Sequence, residues 1–211
     1  MKKVITLIGY PNGQGRKIAR SSDLTSKISA ANRGMSLEKD LNDSNQYYLQ
    51  SGRALIHKKP TPIQVVKVDY PSRKAARITE AYYKVPSTTD YNGIYRGRPI
   101  DFEAKETVNK TSFPFKSIHP HQIEHLRLVK QHGGIGFFII RFRTYGETYL
   151  IDAAEIIERY QQAERKSISY QEVKTIGSLI HEGLTPRLCY LDNVDALYFQ
   201  EVTEHDEERQ K

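Results

Sequence analysis

The run Gly136 to Phe142 (GFFIIRF) sets the strongest constraint on what this chain can fold into. It has almost no polar face to offer water, so as a strand it must be covered on both sides. It is also far below the roughly 20 apolar residues that cross a bilayer, and no other apolar run approaches that length. Helical signals that could supply the cover lie on either side of it. Leu37, Leu41, Tyr48 and Leu49 approximate a helical stripe over residues 35–49. Another helix is opened by Pro120 and closed by Gly133 and Gly134. Segments 153–164 and 170–181 are also expected to be helical. Strands are expected from Ala54, over Ile63–Val68, over Thr148–Ile151 after a Tyr145-Gly146 turn, and over Leu188–Val194, whereas Ser72–Tyr83 reads as either helix or extended chain. This order supports a mixed α/β architecture around a central sheet.

The chain has 211 residues, enough for one sizeable domain with length left over for extensions. Lys and Arg outnumber Asp and Glu by 32 to 25, a net charge of +7 that favours a polyanionic partner. The single cysteine, Cys189, excludes an intramolecular disulfide and a thiolate zinc cluster, and points to a reducing, cytoplasmic setting. Residues 9–32 are rich in Gly, Ser and basic residues without a sustained apolar period, and residues 1–32 are expected to be a flexible basic arm; residues 201–211 form a charged tail. Between them residues 33–200 are expected to form one domain. Its segment 57–84 holds Pro60, Pro62 and Pro71 and is strongly basic, with Lys58, Lys59, Arg73, Lys74 and Arg77 as the expected DNA contacts. Tyr70, Tyr82 and Tyr83 in the same segment could stack on unpaired bases.

The chemistry concentrates in STTDYNGIYRGRPIDFEAKE. From Ile100 to Lys105 the residues alternate, with Ile100, Phe102 and Ala104 on one face and Asp101, Glu103 and Lys105 on the other. If a two-residue loop turns the chain at Arg96-Gly97, Asp90 lies directly across from Glu103, and Thr88 across from Lys105. Facing Cβ atoms would then be about 4.5–5.5 Å apart. A turn at Asn92-Gly93 is the competing register and would place Asp90 opposite Tyr95. Two carboxylates that close repel each other unless a divalent cation joins them. Asp, a dozen residues, then Glu-x-Lys is the signature of restriction-enzyme-like nucleases, in which the acids hold metal and the lysine orients water or stabilises added negative charge. His121-Gln-Ile-Glu-His125 offers another reading, a zinc peptidase helix. A third is a DNA-binding protein without catalysis, for which the basic segments alone would suffice.

Four blocks extend the likeness: NRGMSLEKDLN, HKKPTPIQVVKVDYP, STTDYNGIYRGRPIDFEAKET and TSFPFKSIHPHQIEHL. They closely resemble the RecU-type Holliday-junction resolvases, in order, from about Asn32 to the 190s. The resemblance implies a restriction-endonuclease-like fold and a homodimer that nicks four-way DNA junctions symmetrically with Mg2+, Mn2+ being the alternative ion. It further implies metal ligation by Thr88, Asp90, Glu103 and Gln122, catalysis by Asp90, Glu103 and Lys105, and a basic stalk over about 58–84 that projects towards the junction. The family is also linked to modulation of the strand-exchange recombinase. Glu38 is read chiefly as an acid favoured by the helix dipole, and Asp101 is left outside the metal set.

Overall fold

The computed structural model describes residues 36–84, 88–162 and 164–199. The expected arm and tail lie outside the described residues. The elements in chain order are α1 (Leu37–Gln50), β1 (Leu55–Lys58), β2 (Ile63–Asp69), β3 (Arg77–Tyr83), β4 (Tyr91–Tyr95), β5 (Arg98–Thr107), β6 (Ser112–Pro114), α2 (Pro120–Gln131), β7 (Ile135–Phe142), β8 (Glu147–Asp152), α3 (Ala153–Gln161), β9 (Ser167–Ser169), α4 (Tyr170–Ile176), β10 (Ser178–Leu179) and α5 (Tyr190–Tyr198). Six strands form the central sheet in the order β1-β4-β5-β7-β8-β10. All neighbours run antiparallel except β5 and β7, which are parallel and joined through α2. This is a mixed α/β fold with helices on both faces of the sheet.

β7 is the strand that demands this arrangement, and every residue of it is buried. Ile135, Phe137 and Ile139 pack with Leu37, Leu41 and Tyr48 of α1 and Tyr190, Leu191 and Val194 of α5. Phe138, Ile140 and Phe142 point the other way, to Ile123 and Leu126 of α2, Ile156 of α3 and Val173 of α4. The one charge in the run, Arg141, is answered at 2.6 Å by Asp40 of α1, and both side chains are buried. Arg141 Nε also donates to Thr148. Among the described residues no helix is long and apolar enough to cross a membrane.

The β4–β5 hairpin adopts the Arg96-Gly97 turn. Both residues have positive φ, 47° and 76°, the combination that a type I′ loop requires. The competing Asn92-Gly93 pair instead lies within β4, where Gly93 passes so close to β1 that a Cβ would sit 2.0 Å from the Leu55 carbonyl oxygen. Glycine serves close backbone approach there rather than a turn.

Three expectations need correction. Residues 188–194 are not a strand: α5 runs from Tyr190 to Tyr198, with Tyr190, Leu191 and Val194 making a buried helical stripe. The helix expected over 170–181 ends at Ile176, because Gly177 caps it and Ser178–Leu179 then pair with β8. The polar face of β5 is also more buried than a half-exposed strand, since α2 covers it and Glu103 is fully buried. Ser72–Tyr83, left open between helix and strand, provides β3, which pairs with β2 as a separate two-stranded ribbon. Both strands are exposed along their whole length.

Candidate active site

The hairpin register brings the expected residues together. β4 pairs with β5 from Tyr91 opposite Phe102 to Tyr95 opposite Arg98, which continues to Asp90 beside Glu103. The Asp90 backbone N–H donates to Glu103 Oε2 at 3.1 Å. Lys105, two residues on and on the same face, brings Nζ to 2.7 Å from Glu103 Oε1. Thr88, Asp90, Lys105 and Gln122 line one cleft together with His119, Pro120 and His121.

The electrostatics of this cleft are unbalanced. Burial pushes the Glu103 carboxyl up to about 7; Lys105 pulls it down, and the nearby Asp90 carboxylate adds to the rise. A buried carboxyl raised by burial, with a second carboxylate beside it and a single lysine to offset both, is an arrangement that a divalent cation would relieve. Among the described residues no three groups of His, Cys, Asp or Glu form a ready metal cage. The donors present are two carboxylates, a hydroxyl and an amide, all offering oxygen. Such a set suits a hard ion that keeps several waters, as Mg2+ does. Gln122 contributes less freely than the others, because its Oε1 already accepts the His119 backbone N–H at 3.0 Å. One lone pair of that oxygen remains for a further contact.

Asp101, on the same face of β5, has a different environment. Its carboxylate accepts from the Thr89 hydroxyl and from Lys59 Nζ at 2.9 Å, and His125 Nε2 lies 3.1 Å away. Burial alone would raise its pKa, yet His125, Thr89 and Lys59 together hold it below the usual carboxylate range. No spacing rule joins Lys59, Thr89, Asp101 and His125, and the hairpin pattern pointed only to Asp101. Glu38 pairs with Lys58 at 2.5 Å, and both line a hollow on the far side of Asp90. Arg73, Lys74 and Arg77 lie at the distal end of the ribbon, all exposed.

The zinc-peptidase reading fails on geometry. His125 faces Asp101, and the intervening Glu124 is exposed and paired with Arg127 at 2.7 Å. His121 stacks on His119 with ring centroids 5.4 Å apart. The two histidines and the glutamate of the motif therefore do not converge.

A carboxylate pair and a lysine on adjacent strands, in a cleft at the side of a covered mixed sheet, form the arrangement that the Asp and Glu-x-Lys pattern of nucleases predicts. The comparisons carry this further. The family model described as "Recombination protein U" matches residues 32–196, and the chain belongs to this RecU family. It is 54% identical to the Holliday junction resolvase RecU of Bacillus mycoides, over 91% of this chain and 98% of that protein. It is 52% identical to the protein of the same name from Shouchella clausii, over 91% of this chain and 95% of that one. Among solved structures, the Holliday junction resolvase Hjc of Archaeoglobus fulgidus matches with a TM-score of 0.39 and 10% identity, over 66% of this chain and 90% of that one.

Proposed function

We propose that this chain is an endonuclease that resolves four-way DNA junctions, using Mg2+ held at Asp90 and Glu103 with Thr88 and Gln122 beside them. The observation that carries the site assignment is the approach to the buried Glu103 of Asp90 and Lys105, which line one cleft. Bound there, the metal would activate a water and offset the charge that builds on the phosphate. The chain's own groups act around it. Glu103 and Asp90 fix the position of positive charge in a site where burial strengthens every electrostatic contact. Lys105, held against Glu103, presents an ammonium to the attacking water or to a phosphate oxygen. The ribbon brings the exposed Arg73, Lys74 and Arg77 to the DNA away from the cleft, contacts that position the duplex without reading sequence. Lys58 stands at the ribbon's base, next to the hollow behind Asp90.

Two such sites, related by the two-fold axis of a homodimer, would nick opposed strands of one junction symmetrically. Such an enzyme would act in the bacterial cytoplasm, with modulation of the strand-exchange recombinase as an additional role. The test is cleavage of a mobile synthetic four-way junction with Mg2+, beside linear duplex and with Asp90→Ala in parallel. Paired nicks that require Mg2+ and disappear in Asp90→Ala are expected. Tight junction binding without cleavage in any divalent metal would instead establish a binding protein without catalysis.

A further inference from the structure

A second groove adjoins the catalytic cleft and shares His119 and Pro120 with it. Its volume is about 730 Å3, with Phe115, Ile118 and Tyr160 among its apolar lining and Lys116, Arg165 and Lys166 as its cations. No carboxylate lines it. Arg165 is paired with Glu172, whereas Lys116 and Lys166 are exposed and have no ion-pair partner among the described residues. The lining of the catalytic cleft runs from Thr88, where the chain re-enters the domain after the ribbon, to His119 and Pro120 at the groove.

We propose that this groove seats the phosphodiester backbone of a duplex DNA arm that continues from the adjoining cleavage position. Unpaired cations at such a position gain by displacing the counterions condensed on DNA. The proposal rests on the endonuclease reading, but its test does not require cleavage. The dissociation constant for a four-way junction, and for a linear duplex as long as two arms, is measured across a salt series for Lys116→Ala/Lys166→Ala. Loss of two phosphate contacts should weaken both substrates about tenfold or more and reduce the slope of log K against log salt by roughly 2. Unchanged affinity and slope, with an unaltered melting temperature, would overturn the proposal. So would a loss confined to the junction, since the groove is argued to take duplex. If the wild type binds both substrates with this salt dependence yet never cuts, the endonuclease reading fails and the groove stands.

The neighbourhood of Asp101 carries a second inference independently. Lys59 donates its backbone N–H to the Asp90 carbonyl at 2.7 Å, while its ammonium bridges Thr89 Oγ1 at 3.0 Å and Asp101 Oδ2 at 2.9 Å. The ammonium is therefore engaged inside the domain, and the side chain is only 18% exposed. Asp101 in turn meets His125 on α2, the helix that carries Gln122. The geometry assigns Lys59 as a positioning residue for the metal ligands rather than a phosphate contact. Lys59→Ala, with Lys59→Arg as the conservative variant, is tested by Mn2+ titration followed by electron paramagnetic resonance and by junction affinity in EDTA. The expected result is metal affinity weakened about tenfold in Lys59→Ala and partly restored in Lys59→Arg, with junction affinity and its salt slope unchanged. A fall in junction affinity and salt slope with metal affinity intact would make Lys59 a DNA contact and overturn the assignment.

Discussion

At the scale of the single residue, Arg141 shows how one charge can be accommodated in the most apolar strand. Asp40 meets it at 2.6 Å, with Glu182 and Thr148 on its other side. Asp40→Asn leaves the guanidinium buried without its main counter-charge, a loss of about 3–5 kcal/mol. A fall in melting temperature of roughly 10 °C is the expected readout. Glu172 gives a pH-dependent case. The ion pair with Arg165 and the N-terminal cap at Ser169 hold its carboxyl down to about 2. A carboxyl depressed in the folded state stabilises it above the unfolded pKa, near 4.3, and that contribution is lost as pH falls towards 2. The melting temperature of wild type should therefore exceed that of Glu172→Gln at pH 7, and the gap should narrow progressively as the pH is lowered from about 5 towards 2. A gap that stays constant would mean the cap works without the charge.

Among the elements, the hairpin was the most legible. Asp90, Glu103 and Lys105 could be placed from alternation and one turn assumption, and the positive φ of Arg96 and Gly97 is what made that assumption hold. α5 was misread because residues 188–194 contain only the beginning of its stripe, too short for a period to tell helix from strand. The Lys59–Thr89–Asp101–His125 cluster was illegible for another reason. Its members come from the end of β1, the approach to β4, β5 and α2, and only the packing of α2 over the sheet brings them together. Gly93 ties these elements to the cleft. Gly93→Ala would force β1 away from β4, at a cost of about 1–3 kcal/mol. It would also carry off the Lys59 N–H that holds Asp90. Lower melting temperature together with reduced nicking is expected, and full activity at a lowered melting temperature would show that β1 can shift without disturbing the cleft.

On the scale of the whole molecule, two kinds of structure stand side by side. The domain is organised around β7, which is buried from end to end, while the ribbon of β2 and β3 is exposed from end to end. Two strands without a covering layer are only marginally stable in water. Amide hydrogen exchange should therefore be fast across Ile63–Asp69 and Arg77–Tyr83, and slow in Ile135–Phe142, where opening requires global unfolding. Equal protection in both would mean that the ribbon has a covering partner in solution.

Because the ribbon adds nothing to the core, its sequence is free of the demands that packing places on the rest of the chain. Changes at Arg73, Lys74 or Arg77 need not disturb folding, and natural variation can accumulate there without loss of the cutting head. The molecule is in that sense modular: the covered sheet could keep its architecture unchanged while the exposed hairpin is rewritten.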